Sequence, residues 1–316
     1  MDAPRPAAGV RRTDLEEQLQ QARRALAQRE EAPSGDWVVE TARELHSGSK
    51  PGWFLSDGGV AFYARRGPAA FGHVHAGGGA PTVAAVRLAE TVLDALPTDI
   101  ASINLGFSGL TAEGERQVVA RLLGRPGSRA IGRQAMEHPL TAEDERPPPG
   151  LPTGTRELPV REITLEALTD LDVRAFRGSP DELLIGASPA EYRYVLDTIL
   201  AGQLGRFVDE ASTALVEESP VRLVGAVLTA EQTIRRATLV DLLVDPERRR
   251  RGLGRFLVEW SLRALRGLGY ETARLWVTDD NRPALALYAH YGFRPVAAAT
   301  IYRWERPSGP QPHTAR

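Results

Sequence analysis

At 316 residues, with 42% apolar and 25% charged side chains, the chain has enough material for two ordinary globular domains. Its formal net charge of -2 gives no reason for strong attraction to nucleic acid or acidic membranes, and the absence of cysteine excludes disulfides, thiolate metal sites and cysteine nucleophiles. No run approaches the roughly 18 apolar residues of a membrane span, and the first residues hold no apolar leader core, so a cytoplasmic protein is expected.

Residues 1–35 read as a charged N-terminal helical segment, with Leu15, Leu19 and Leu26 as a narrow apolar stripe before the breaker Pro33-Ser34-Gly35. Residues 36–142 read as a first α/β domain. Its short strands are expected at 53–55 and 60–63, around the turn Ser56-Asp57-Gly58-Gly59, and at 71–76 before Gly77-Gly78-Gly79. A helix with Val83, Val86, Leu93 and Leu96 on one face, a strand at 101–107, a helix at 111–123 and a strand at 129–137 complete it. Residues 143–154, with Pro147-Pro148-Pro149-Gly150 and Pro152, make a linker, and 307–316 a disordered tail.

A second domain is expected over 155–306. It starts with a strand near 160–163 and helices at 165–176 and 189–201, and continues with strands at 212–216, 223–228 and 238–244. A helix at 252–268, a strand at 272–277, a helix at 283–291 and a strand at 296–304 finish it. The class is mixed α/β (α+β), a central mixed sheet flanked by helices. Each domain runs strand, glycine-bearing turn, helix, strand, helix, strand, a weak echo that suggests duplication.

The chemistry concentrates after Leu239-Val240-Asp241-Leu242-Leu243-Val244. Pro246 ends that strand, Arg248-Arg249-Arg250-Arg251-Gly252-Leu253-Gly254 turns the chain, and an amphipathic helix follows with Leu253, Phe256, Leu257, Trp260, Ala264 and Leu268 on its buried side. Glycines there let backbone N–H groups approach an anion, the helix N-terminus adds free donors, and arginines supply full charges. The turn suits a pyrophosphate. It is not a Walker motif, since no Gly-Lys-Ser/Thr follows, and it lacks the third glycine of a dinucleotide-binding turn.

Here the sequence resembles the GCN5-related N-acetyltransferase (GNAT) superfamily. Arg249-Arg250-Arg251-Gly252-Leu253-Gly254 meets its pattern Arg/Gln-x-x-Gly-x-Gly/Ala. Asn281-Arg282-Pro283-Ala284-Leu285-Ala286-Leu287-Tyr288, with Gly292-Phe293, meets Asn-x-x-Ala-x-x-Leu-Tyr-x-x-x-Gly-Phe. The resemblance covers about 159–304; the first domain shares it in outline only and is expected to be a degenerate copy, since its glycine turn has no arginine.

The resemblance implies an acetyl-CoA-dependent N-acetyltransferase that forms a ternary complex with a primary amine, on a small molecule or a peptide, in which the amine attacks the thioester directly. Acetyl-CoA serves as co-substrate, and no metal is implied. Arg249 to Gly254 and Arg255 would hold the pyrophosphate, Leu242, Leu243 and Val244 the pantetheine, and Asn281 would lie near that arm. Tyr288 would protonate the departing thiolate. Asp241 is the candidate base, with a structural strand-end carboxylate as the equal alternative. The acceptor pocket is expected from Phe176 to Tyr194. The competing function is a catalytically weak acyl-CoA sensor.

Plainer readings stand beside several of these. Tyr288 and Tyr291, one turn apart, fit core packing, and Asn281 fits a helix cap. The arginine run without interleaved aromatics does not point to nucleic acid. His73 and His75 face one side of a strand and read as a structural pair, Asp279-Asp280 as a solvated turn. Gly106-Phe107-Ser108-Gly109 lacks the Gly-x-Ser-x-Gly spacing of a nucleophile elbow.

Overall fold

The structure, a computed structural model, describes residues 3–28, 37–56, 58–141, 150–185, 188–219 and 221–307. The expected breaker at Pro33, Asp57 of the first turn, the linker prolines Pro147 to Pro149 and all but residue 307 of the expected tail lie outside the described residues. In chain order the elements are β1 (Arg5–Pro6), α1 (Arg12–Gln28), α2 (Trp37–Ser47), β2 (Gly52–Leu55), β3 (Gly59–Arg66), β4 (Ala69–Ala76), α3 (Pro81–Asp94), β5 (Ser102–Ser108), α4 (Ala112–Leu122) and β6 (Ser128–Pro139). There follow β7 (Thr155–Pro159), α5 (Leu165–Phe176), α6 (Glu182–Ile185), α7 (Pro189–Leu200), β8 (Arg206–Phe207), β9 (Thr213–Glu218), β10 (Val221–Thr233) and β11 (Arg236–Val244). The last are α8 (Leu253–Gly267), β12 (Thr272–Thr278), α9 (Arg282–His290) and β13 (Arg294–Glu305).

Three local expectations need correction. The strand placed near 160–163 is β7 instead, and Val160–Glu162 forms a 3₁₀ turn in which Val160 accepts from Ile163 N–H. Helix α2 was not anticipated, although Val38, Ala42 and Leu45, all buried, stand at helical spacing. Leu268 is 46% exposed and caps α8 rather than packing beneath it, because Gly269 at φ 82° turns the chain away.

The packing forms two units, one taking the described residues up to Ala27, 37–132 and from Ala299 on, the other Arg133–Ala298. In unit 1 the strand order is β1-β2-β3-β4-β5-β13, antiparallel except for the parallel pair β4-β5. Leu15 and Leu19 of α1 and Ala42 and Leu45 of α2 pack in one cluster with Phe54, Val60 and Phe62. Leu88 and Val92 of α3 and Val118 and Leu122 of α4 belong to a separate cluster with Val74, Ile103 and Leu105.

Unit 2 repeats the scheme. Its order is β7-β9-β10-β11-β12-β6, with β8 on the side of β10, and the one parallel pair is β11-β12. Leu168, Leu171 and Leu196 of α5 and α7 cover one cluster; Phe256, Leu257 and Leu265 of α8 cover the other. The echo expected from sequence is therefore a match of strand order, direction and crossover helix.

The two stretches also trade a strand. After α4 the chain enters β6, whose residues Arg133 to Pro139 pair with β12 of unit 2. After α9 it enters β13, whose residues Tyr302 to Glu305 pair with β5 of unit 1. The packing thus divides the chain differently from the linear boundaries expected at 142 and 155. Ladder hydrogen bonds form at whichever strand edge is open, regardless of distance along the sequence.

Candidate active site

Strands β11 and β12 pair only from Arg236↔Thr272 to Thr238↔Arg274. Beyond that point β11 follows β10 as far as Val244, while β12 follows β6 as far as Thr278. A wedge opens between them, and the backbone groups of Leu239 to Val244 on that edge have no strand partner among the described residues. Leu242, Leu243 and Val244 all lie on this stretch.

A β-bulge decides which way β11 points its side chains there. Leu228 pairs with Asp241 and Thr229 with Leu239, leaving Val240 as the extra residue. Leu239 belongs to the cluster under α8, Leu243 to that under α5 and α7. Asp241, two residues before Leu243, therefore faces α5 and α7. Without the bulge it would share the face of Leu239.

The turn after β11 is fixed by a buried carboxylate. Asp245, fully buried, takes Arg174 Nε at 3.1 Å and Arg222 Nη2 at 2.8 Å, and accepts Glu247 N–H at 3.1 Å. Two of the four arginines are occupied within the fold: Arg248 is bidentate on Glu217 at 2.5 and 2.9 Å, and Arg249 Nη2 donates to Ala175 C=O at 2.6 Å. Arg250, Arg251 and Arg255 are exposed. Gly252, at φ 88°, is the N-cap of α8, and no side chain caps it. The N–H groups of Leu253, Gly254 and Arg255 thus face outward without helical partners. A Cβ on Gly254 would stand 3.4 Å from Leu287 and 3.7 Å from Val244, so glycine keeps the gap between β11 and α9 clear. Beside this helix end lies a cavity of about 320 Å³ whose lining includes Arg251, Arg255 and His290.

On the other side of the wedge three carboxyls gather. Asp181 accepts from Asn281 Nδ2 at 2.6 Å and from the Thr278 hydroxyl, tying the chain after α5 to the end of β12. Asn281 also accepts Ala284 N–H at 3.3 Å, so it caps α9 and anchors Asp181 at once. Asp241 is buried; burial and the Asp181 charge raise its pKa well above the carboxylate range, while the N–H of Leu242 lowers it. Asp172 on α5 is fully buried, and burial and the Asp241 charge raise it further. Neither of its oxygens meets a donor.

Tyr288 is buried beside this group, its ring 5.8 Å from that of Phe293. Burial, Asp181 and Asp241 all push its pKa up, so it keeps its proton. Tyr291 is structural: its hydroxyl donates to Arg255 C=O and Glu259 Oε2, both at 3.1 Å. Sequence reading passed over Asp172 and Asp181. The signal for Asp172 was present, a carboxylate inside the stripe of Leu168, Leu171 and Ala175. For Asp181 the only signal was its place inside the stretch from Phe176 to Tyr194 expected to form the acceptor pocket, since its partners lie about a hundred residues on.

Unit 1 differs at the matching place. β4 and β5 pair without interruption from Ala69↔Ser102 to His75↔Ser108. Ser108, fully buried, meets His73 Nε2 at 2.7 Å and His75 Nδ1 at 3.0 Å, fastening the two strands where β11 and β12 separate. Burial lowers the His75 pKa to about 4, so the ring is neutral. Asp279 accepts from Gln134 at 3.2 Å, and no group of three or more potential metal ligands occurs among the described residues. No described helix is long and apolar enough to cross a membrane.

Residues 166–293, which hold α5, the bulged strand, the arginine turn, Asn281 and Tyr288, match the Acetyltransferase (GNAT) family. A mycothiol acetyltransferase of Acidimicrobium ferrooxidans is 31% identical over 186 residues, 56% of either chain. That of Nocardiopsis dassonvillei is 28% identical over 213 residues, 62% of this chain and 63% of the relative. That of Beutenbergia cavernae is 46% identical over 59 residues, 19% and 20%. The chain thus spans from 20% to 63% of the length of these curated relatives. Among solved structures, a GCN5-related N-acetyltransferase from Sphaerobacter thermophilus shares the fold at TM-score 0.61, covering 96% of this chain and 95% of that one at 18% identity. A tandem GNAT protein from the clavulanic acid biosynthesis pathway does so at TM-score 0.60, covering 97% and 99% at 16% identity. Residues 166–293 thus match the GNAT acetyltransferase family, in a chain that shares its fold with a tandem GNAT protein.

Proposed function

We propose that unit 2 moves an acetyl group from acetyl-CoA to an amine by direct attack in a ternary complex. The observation that supports this most is the wedge between β11 and β12, with the uncapped N-terminus of α8 at its mouth. The free N–H groups of Leu253, Gly254 and Arg255, with the Arg251 and Arg255 side chains, receive the pyrophosphate. The open edge of Leu242 to Val244 receives the amide groups of pantetheine as a neighbouring strand would. Arg248 and Arg249 shape the turn instead of binding phosphate, and Asn281 acts by fixing Asp181.

Asp241 takes the proton of the incoming ammonium, a task for which its raised pKa suits it near neutral pH. The neutral nitrogen attacks the thioester carbon, the N–C bond forms and the C–S bond breaks. The thiolate takes the proton of Tyr288, and the proton that the nitrogen sheds on becoming an amide restores the tyrosine. Once Asp241 is protonated, one of the two charges that hold the Tyr288 proton is gone, so the base step prepares the acid step.

Calorimetric titration of acetyl-CoA tests the binding half. The wild type should bind, and Gly254→Glu, which sets a carboxylate among the free N–H groups, should lose binding while its circular dichroism is unchanged. No binding to the wild type overturns the reading. For the chemistry, release of free thiol from acetyl-CoA in the presence of an amine panel separates an enzyme from an acyl-CoA sensor, which would bind and release none. Tyr288→Phe should lower kcat by about 10²-fold with little change in acetyl-CoA affinity.

A further inference from the structure

The unused group in this region is Asp172. It is fully buried on α5, in a stripe otherwise made of Leu168, Leu171 and Ala175, and both its oxygens lack a donor. A buried carboxyl left this way is costly, and an apolar residue of similar size would pack there without that cost. Its two neighbours are supplied. Asp241 has the N–H of Leu242, and Asp181 has Thr278 and Asn281. The nearest basic residue on its own helix, Arg174, is committed to Asp245 and to the Leu223 carbonyl at 3.2 Å. Among the described residues no ion pair involves Asp172, Asp181 or Asp241. The other charges that act with Asp172 on Tyr192 are Glu182, Glu191 and Arg177.

We infer that the acceptor carries two basic nitrogens, a diamine-class compound, and that Asp172 holds the nitrogen that is not acetylated. This rests on the acetyl transfer proposed above. The nitrogen under attack must be neutral, and its proton goes to Asp241 on β11. It therefore cannot supply a charge to a second carboxylate on another element. Asp172, on α5, calls for a separate cation, and a protonated amine provides both the charge and up to three N–H donors to two empty oxygens. A monoamine leaves those oxygens as they are.

The test is calorimetry on the full chain with 1,4-diaminobutane and butylamine as probes, each with and without saturating acetyl-CoA. The diamine should bind about tenfold or more tighter than the monoamine, and Asp172→Asn should bring the two within about twofold while acetyl-CoA binding is retained. Equal binding of the two amines by the wild type overturns the inference, as does a preference that survives in Asp172→Asn. Should the variant not fold, the wild-type comparison decides alone. If acetyl-CoA itself does not bind, the acetyl-transfer reading falls and takes this one with it; if acetyl-CoA binds and no diamine preference appears, only the diamine falls.

Discussion

Asp172 and Asp241 share one electrostatic problem with opposite uses. Both are acids whose folded pKa lies above the unfolded value of about 3.9, so the fold binds their protons more tightly than the open chain does. Stability is therefore lost as pH rises from about 4 toward neutrality and beyond. Asp172→Asn should change little near pH 4 and stabilise the protein by on the order of 2 kcal/mol near pH 7, read as a rise in thermal midpoint that grows with pH. A constant difference across that range would remove Asp172 from the account. At this scale the sequence was half legible. Tyr288 stands at a position that a family block marks and Asp241 on the strand before the arginine turn, whereas the face Asp241 takes depends on the bulge at Val240, which nothing in the strand's sequence announces.

The strand, turn and helix from β11 to α8 were legible as one element because each part has a local cause: Pro246 lacks a ladder donor, Gly252 accepts φ 88°, and the stripe from Leu253 to Leu265 repeats at helical spacing. What could not be read was the division of labour in the arginine run, since the partners of Arg248 and Arg249 come from β9 and α5. The turn depends on Asp245, a buried anion between two guanidinium groups. Asp245→Ala leaves Arg174 and Arg222 without their carboxylate and frees the turn, and should cost about 3 kcal/mol in a denaturant titration. Because the turn carries α8's first N–H groups, acetyl-CoA affinity should fall in the same variant under conditions where it stays folded.

Across the whole molecule, the same six-strand order occurs twice, yet only one copy is open where the parallel strands meet. Acetyl-CoA should therefore saturate at one molecule per chain, with binding to the second site undetected at the calorimeter. A stoichiometry of two would show that the Ser108 fastening gives way. The duplication was visible in outline from the order of elements; the fastening was not, because His73, His75 and Ser108 read separately as a pair and a failed motif.

The traded strands bear on how such a chain can change over generations. Each half of the coding sequence holds the closing strand of the other half's fold. A deletion that discards the first copy would take with it the strand that completes the second, and a recombination cut between them would leave two halves that each end in an orphan. The first unit can thus be inherited whether or not it holds a ligand of its own, since selection on the second holds it in place.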